Sequence, residues 1–123
     1  MRRAPSSAVA LKRVYEPAAE ADGRRFLVER LWPRGIKKTD LKMEAWLKEV
    51  APSAKLRTWF AHDPGKWPEF QRRYRAELDA APEAWRALLE ASKSGNVTLL
   101  FSSRETEHNC AVVLREFLEE RRR

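Results

Sequence analysis

Five consecutive residues, Val97-Thr98-Leu99-Leu100-Phe101, constrain the fold more than any other stretch of the chain. They are entered through the turn-forming Ser94-Gly95-Asn96, and they are apolar at both alternating positions, the pattern of a strand covered on both faces. Ser102 and Glu105 follow with the spacing of a capping box, and Cys110, Val113, Leu114, Phe117 and Leu118 then recur on one helical face. A strand that runs directly into a helix is the signature of an α/β fold. Two more strands, residues 8–14 and 26–31, precede it, separated by a loop holding Pro17, Asp22 and Gly23. The expected sheet is small and mostly parallel, with about three strands (8–14, 26–31 and 97–101) and 97–101 at its centre.

Between the second and third strands the period becomes helical. Met43, Trp46, Leu47 and Val50 form one stripe after a cap at Thr39 or Asp40. Ser53 caps a second helix presenting Leu56, Trp59 and Phe60, which Pro64 should stop near Asp63. Trp67, Phe70, Tyr74 and Leu78 form a third stripe, and Trp85, Leu88 and Leu89 a fourth after Pro82. With the final helix, about five helices cover the sheet. Helical spacing assigns the tryptophans to core packing rather than to stacking of nucleic-acid bases, with Tyr74 expected to keep its polar end in water.

A chain of 123 residues suits a single domain, here 8–123, after a disordered lead-in at 1–7. No apolar run approaches the roughly 20 residues of a membrane span, and the opening residues lack the apolar middle of a signal peptide, so a cytoplasmic protein is expected. Cys110 is the only cysteine, and with only His62 and His108 beside it a tetrahedral zinc site of nitrogen and sulfur ligands cannot be filled. No metal or cofactor is expected. The net charge of +7 sits at the ends, in Arg2, Arg3, Lys12 and Arg13 and in Arg121, Arg122 and Arg123, leaving the body balanced. Basic termini over a neutral body read as solvated ends, or as backbone contacts of a nucleic-acid-associated protein.

In open α/β sheets ligands bind beyond the carboxyl ends of strands. Glu29-Arg30-Leu31-Trp32-Pro33-Arg34-Gly35 leaves the second strand, and residues 102–109 leave the third. Were these strands parallel neighbours, their charges would converge. Arg30 and Arg34 flank a stiff Trp32-Pro33 turn that Gly35 can close through a positive φ, and guanidinium groups fixed in this way suit bidentate capture of phosphate or carboxylate. The start of the last helix adds N–H groups and a favourable dipole. Glu105 and Glu107 oppose that field, and the same charges equally fit an ion-pair network tying two loops together. His108 is the one residue here of the type suited to proton transfer at neutral pH, and its spacing from Arg104 places both on one side of a helix, yet it lies opposite the buried stripe while Glu107 falls toward it. Either Glu107 is the inward group or the helix begins later. Glu107 and His108 are the candidate proton-transfer residues, and Glu29, Arg30, Arg34, Arg104 and Asn109 the candidate ligand contacts. Cys110 reads as a small buried hydrophobe rather than an activated thiol. His62-Asp63-Pro64 reads as a helix-ending turn and cap.

Residues 26–35, the Trp59-Phe60-Ala61-His62-Asp63-Pro64 segment with Lys66-Trp67, Arg73-Tyr74, Val97-Thr98-Leu99-Leu100 and Glu107-His108-Asn109 resemble the YeaO-like family, small bacterial proteins within a broader domain family of unknown function. The resemblance covers nearly the whole chain. It implies a compact α/β fold of Rossmann-like character with the two strand ends adjacent, and it brings no activity with it. Glu29 stands where the family pattern has Asp, and Cys110 where it commonly has another polar residue.

These readings converge on an enzyme or ligand-binding domain that engages an anionic, phosphate-like group. The alternatives are a nucleic-acid-associated protein and a structural or dimerising module, the latter suggested by Val112 on the otherwise polar side of the last helix.

Overall fold

The computed structural model describes residues 9–122; the lead-in with Arg2 and Arg3, the first residue of the expected opening strand, and Arg123 lie outside them. Strands β1 (Val9–Arg13), β2 (Arg24–Leu27), β3 (Ala45–Trp46) and β4 (Val97–Phe101) form a parallel sheet in the order β1-β4-β2-β3. β4 lies between β1 and β2, with Leu99 opposite both Leu11 and Phe26, and all five of its residues are buried. Helices α1 (Ala54–Phe60), α2 (Trp67–Asp79), α3 (Pro82–Ser94) and α4 (Cys110–Arg122) complete the fold.

Alternation along the strands divides the core in two. Val9, Phe26, Val97, Leu99 and Phe101 face the side where all four helices pack, meeting Phe60, Phe70, Leu88, Leu114 and Phe117. Leu27 and Leu100 face the other side, where Val14 and Leu41 join them under Trp32, Ile36, Met43 and Trp46. The helices thus cover one face and the irregular segment 32–46 covers the other.

Four expectations need correction. Residues 40–50 are not a helix: Glu44 and Leu47 donate their N–H groups to the carbonyls of Arg25 and Leu27, Ala45–Trp46 pairs with Phe26–Leu27, and only Lys48–Val50 turns, as a short 3-10 segment. The open edge of β2 offered backbone partners, and Leu41, Met43 and Ala45 also repeat with period two, so pairing displaced the weak helical stripe. The last helix begins at Cys110, because Asn109 takes the cap position: its Oδ1 accepts the Val112 N–H at 3.1 Å. Arg104 and His108 therefore do not share a helical face. Tyr74 is 1 % exposed and its hydroxyl donates to the Val50 carbonyl at 2.6 Å, so a buried partner replaces water and burial raises its pKa. Val112 is likewise buried within the chain, which removes the exposed apolar residue on which the dimerising module rested.

Both ends of the described chain keep their charges occupied. Lys12 pairs with Asp22 at 2.9 Å, Arg121 pairs with Asp79 at 2.6 Å and lies over the Phe117 ring, and Arg122 approaches Glu119 at 3.6 Å. No helix among the described residues is long and apolar enough to cross a membrane.

Asp22 is the most heavily committed polar group. It is 8 % exposed and accepts hydrogen bonds from Lys12 Nζ, Arg25 Nη1 (2.5 Å) and the Ala19 N–H (2.9 Å). Burial pushes its pKa up, but the Ala19 amide and the two cations outweigh that and hold it at about 2. Because this folded-state value lies below the ordinary 3.8, the stability it confers is complete above about pH 4 and drains away as pH falls toward 2. Urea unfolding midpoints should fall steeply across that window in the native sequence and much less in Asp22→Asn, which at pH 7 should already be less stable by about 3 kcal/mol, since two cations lose their counter-charge. At Gly23, φ is +66° and an added Cβ would lie 2.2 Å from the Asn96 carbonyl oxygen, so Gly23→Ala should lower the melting temperature by 10 °C or more, on the order of 2–4 kcal/mol.

Candidate functional site

The carboxyl ends of β2 and β4 are tied together by Glu29. Its carboxylate accepts both the Ser102 N–H (3.0 Å) and the Ser102 hydroxyl (2.7 Å), while its backbone carbonyl accepts the Trp46 indole N–H. The parallel register makes this possible: Leu27 lies opposite Leu100, so residues two positions beyond each reach the same level. A cleft of about 830 Å³ opens at this end of the sheet.

Of the residues singled out from sequence, Glu29, Arg30, Arg34, Arg104 and Asn109 all line the cleft. Glu107 and His108 are not among its lining residues. The Glu105 carboxylate accepts the N–H groups of Glu107 (2.7 Å) and His108 (3.1 Å), shaping a turn that leaves Glu107 exposed and lays the His108 ring edge-on against Trp67. Those two amide bonds draw the Glu105 pKa down. Asn109 borders the cleft with both ends of its amide committed, Oδ1 to the helix cap and Nδ2 to the Glu105 carbonyl at 2.7 Å.

The turn after β2 is fixed from three sides. The Trp32 indole donates to the Ile36 carbonyl at 2.6 Å, Pro33 is buried, and Gly35 adopts φ +76°. The Tyr15 hydroxyl donates to the Arg34 carbonyl at 2.9 Å, linking the exit of β1 to the same turn. Arg30 reaches the carbonyls of Pro52 and Ala51 only at 3.4 and 3.3 Å, near the limit for a hydrogen bond. Arg34 and Arg104 make no side-chain hydrogen bond or ion pair with any other described residue.

Arg13, Tyr15 and Arg57 also line the cleft, and sequence reasoning passed over all three. Arg13 had been counted with the basic terminus; it instead caps the exit of β4, donating to the carbonyls of Ser102 (3.1 Å) and Ser103 (2.9 Å). Arg57 comes from α1, which Ser53 caps through a bond from the Leu56 N–H, with Glu77 in turn holding Ser53. Its Nε is buried and has no hydrogen-bond partner among the described residues. The available signal was its position three residues before Phe60, which puts a guanidinium on the apolar stripe of the helix.

Cys110 borders the cleft too, with its thiol pKa pushed up to about 12 by burial and by the negative charge of Glu29, so it stays protonated at neutral pH. His62 lies at the rim, exposed and held with Ala61 in left-handed backbone (φ 58° and 47°), while the Asp63 carboxylate accepts the Gly65 N–H at 2.9 Å as a cap. Among the described residues no group of three or more His, Cys, Asp and Glu side chains is placed to hold a metal ion. The cleft therefore offers five guanidinium groups against one carboxylate, and that carboxylate is engaged by Ser102. Such a lining is suited by its charge to an anion.

Residues 8–123 match the model of the DUF488-N3i family, described as the inactive DUF488-N3 subclade. The chain is 45 % identical over 107 residues to the uncharacterized protein YeaO of Escherichia coli, covering 87 % of this chain and 93 % of that protein. It is 40 % identical over 111 residues to the uncharacterized protein Rv3073c of Mycobacterium tuberculosis, covering 89 % and 92 % respectively, and equally to Mb3100c of Mycobacterium bovis. No solved structure matches it. With its matched length, its parallel sheet and the joined exits of β2 and β4, the chain belongs to the YeaO-like family of the inactive DUF488-N3 subclade.

Proposed function

We propose that this protein binds a small ligand through an anionic, phosphate-like group seated among Arg34, Arg57 and Arg104, without transforming it. The observation that carries this reading is the Nε of Arg57, a buried donor bordering the cleft with no partner among the described residues. A buried donor left unpaired costs about 1–3 kcal/mol, and one belonging to a cation costs more, so Arg57 Nε calls for an acceptor from outside the chain, which a bound anion supplies more strongly than water. Arg34 and Arg104 add two guanidinium groups uncommitted to other described residues. Arg30, on long bonds, can turn from the carbonyls of residues 51 and 52 to a better acceptor.

Binding is favoured over catalysis on three grounds. Glu107 and His108 stand outside the lining, the Cys110 thiol is held protonated, and the family description itself names an inactive subclade. A basic-tail nucleic-acid reading has less support, because Lys12, Arg121 and Arg122 are paired within the chain.

Thermal unfolding in inorganic phosphate, against chloride at matched ionic strength, tests the proposal. Phosphate should raise the melting temperature of the native sequence, and Arg34→Ala with Arg104→Ala should weaken the apparent affinity by about 10- to 100-fold, the worth of one or two charge-assisted hydrogen bonds. Arg57→Met should raise the melting temperature of the ligand-free protein while reducing its response to phosphate, since it removes an unpaired buried donor and a ligand contact together. Equal phosphate responses in all three proteins would overturn the assignment.

A further inference from the structure

Resting on that reading, we infer that the ligand is a phosphate monoester carrying a planar ring, of the nucleoside monophosphate type, with the ring seated on Tyr15 and Leu31. The cleft is too large for its charge. At about 830 Å³ it lies within the roughly 300–1,000 Å³ of sites that take whole small molecules, far beyond what a phosphate group fills. The ligand needs a body as well as an anion.

The lining shows what kind of body. Among the described residues the large hydrophobic side chains left exposed are Tyr15, at 46 %, and Leu31, at 64 %, and both border this cleft. Single exposed apolar residues are ordinary on a protein surface, but these two are not scattered: they come from different strand exits and meet at one opening. Tyr15 is also held in place. Its hydroxyl donates to the Arg34 carbonyl at 2.9 Å, and the Arg13 guanidinium carbon lies 4.8 Å from its ring centroid. A ring fixed at its tip and backed by a cation is a stacking platform that spends little conformational entropy when a second ring arrives. Because the Tyr15 hydroxyl is bonded to the Arg34 carbonyl, the platform is tied to the backbone from which the Arg34 guanidinium reaches.

Binding of AMP, GMP, CMP, UMP, ribose 5-phosphate and adenosine, measured by calorimetry on the native chain, Tyr15→Ala, Leu31→Ser and the Arg34→Ala, Arg104→Ala variant, decides the matter. At least one mononucleotide should bind about tenfold or more tighter than ribose 5-phosphate, the usual gain from stacking one base on an aromatic side chain. Tyr15→Ala should erase that advantage, weakening the mononucleotides by a clearly larger factor than ribose 5-phosphate, which feels only the loss of the hydroxyl's bond to the Arg34 turn; Leu31→Ser should erode it in part. Ribose 5-phosphate binding as tightly as every mononucleotide, with both lost in the double arginine variant, would overturn the ring while sparing the anion site. Tyr15→Ala weakening ribose 5-phosphate and the mononucleotides by the same factor would also overturn it, since Tyr15 would then act only through Arg34. No binding of any phosphate-bearing probe would overturn this inference together with the reading on which it rests.

Discussion

Three strands of this sheet are held at one point by a single residue. Asp22 takes Lys12 from β1 and Arg25 from β2, while its backbone carbonyl accepts the Thr98 hydroxyl of β4 at 2.8 Å. None of the three partners is adjacent to the others in sequence, so their meeting fixes the order and register of strands whose own ladders are only four or five residues long. Short parallel ladders are weakly specified by backbone pairing alone, and the apolar residues of β4 would tolerate a slip of two with both faces still buried. A buried charge does not tolerate such a slip, because two cations and one anion would each lose their partners. Gly23 follows directly, with backbone too close to Asn96 for any side chain, and so seats the start of β2 against the start of β4.

The cleft is a consequence of that seating. With Arg25 opposite Thr98 and Leu27 opposite Leu100, Glu29 arrives level with Ser102, and the two strand exits are joined by a bidentate contact instead of splaying apart. The junction at Asp22 and the junction at Glu29 lie at opposite ends of β2, separated by about 3.3 Å of rise per residue. Between them the sheet places Arg30 and Arg34, on a turn pinned by Trp32, Gly35 and Tyr15, in the lining of one cleft with Arg57 and Arg104 from separate elements. The helices contribute less directly. They stack on one face only, and of the guanidinium groups at the cleft α1 supplies Arg57 alone.

How much of this could be read beforehand depended on how local the deciding interaction was. The β4 strand was legible because burial on both faces leaves a continuous apolar run, and α1 because Ser53 and Pro64 bracket it within the sequence. Residues 40–50 were not, since their helical and strand-like periods are equally short and the open edge of β2, some 20 residues away, decided between them. The start of α4 was misplaced for a related reason. Ser102 has capping-box spacing to Glu105, but its hydroxyl and N–H are taken by Glu29, 73 residues earlier, and the cap passes to Asn109. Moving that start by seven residues is what carries Glu107 and His108 out of the cleft. Arg30, Arg34 and Arg104 were found because charge beside a strand end is a local signal; Arg57 and Tyr15 were missed because their importance comes from what the fold brings next to them.

Under the proposed reading, the same geometry bears on why the cleft would bind without reacting. Glu29 is the one carboxylate in the lining, and its bonds from Ser102 make it a strut between two strands. Its negative charge sits close enough to Cys110 to help hold the thiol protonated, and Arg57, which favours the thiolate, is outweighed by burial and by Glu29 together. A nucleophile needs the reverse balance, with the cation dominant and the thiol wet. The residue that ties the strand exits together thus also adds to the burial that keeps the thiol protonated, so removing its charge would release the contact on which the cleft depends while burial still held Cys110 neutral. Under the proposed reading, binding survives this coupling because guanidinium groups act by charge and position alone and need no proton to move.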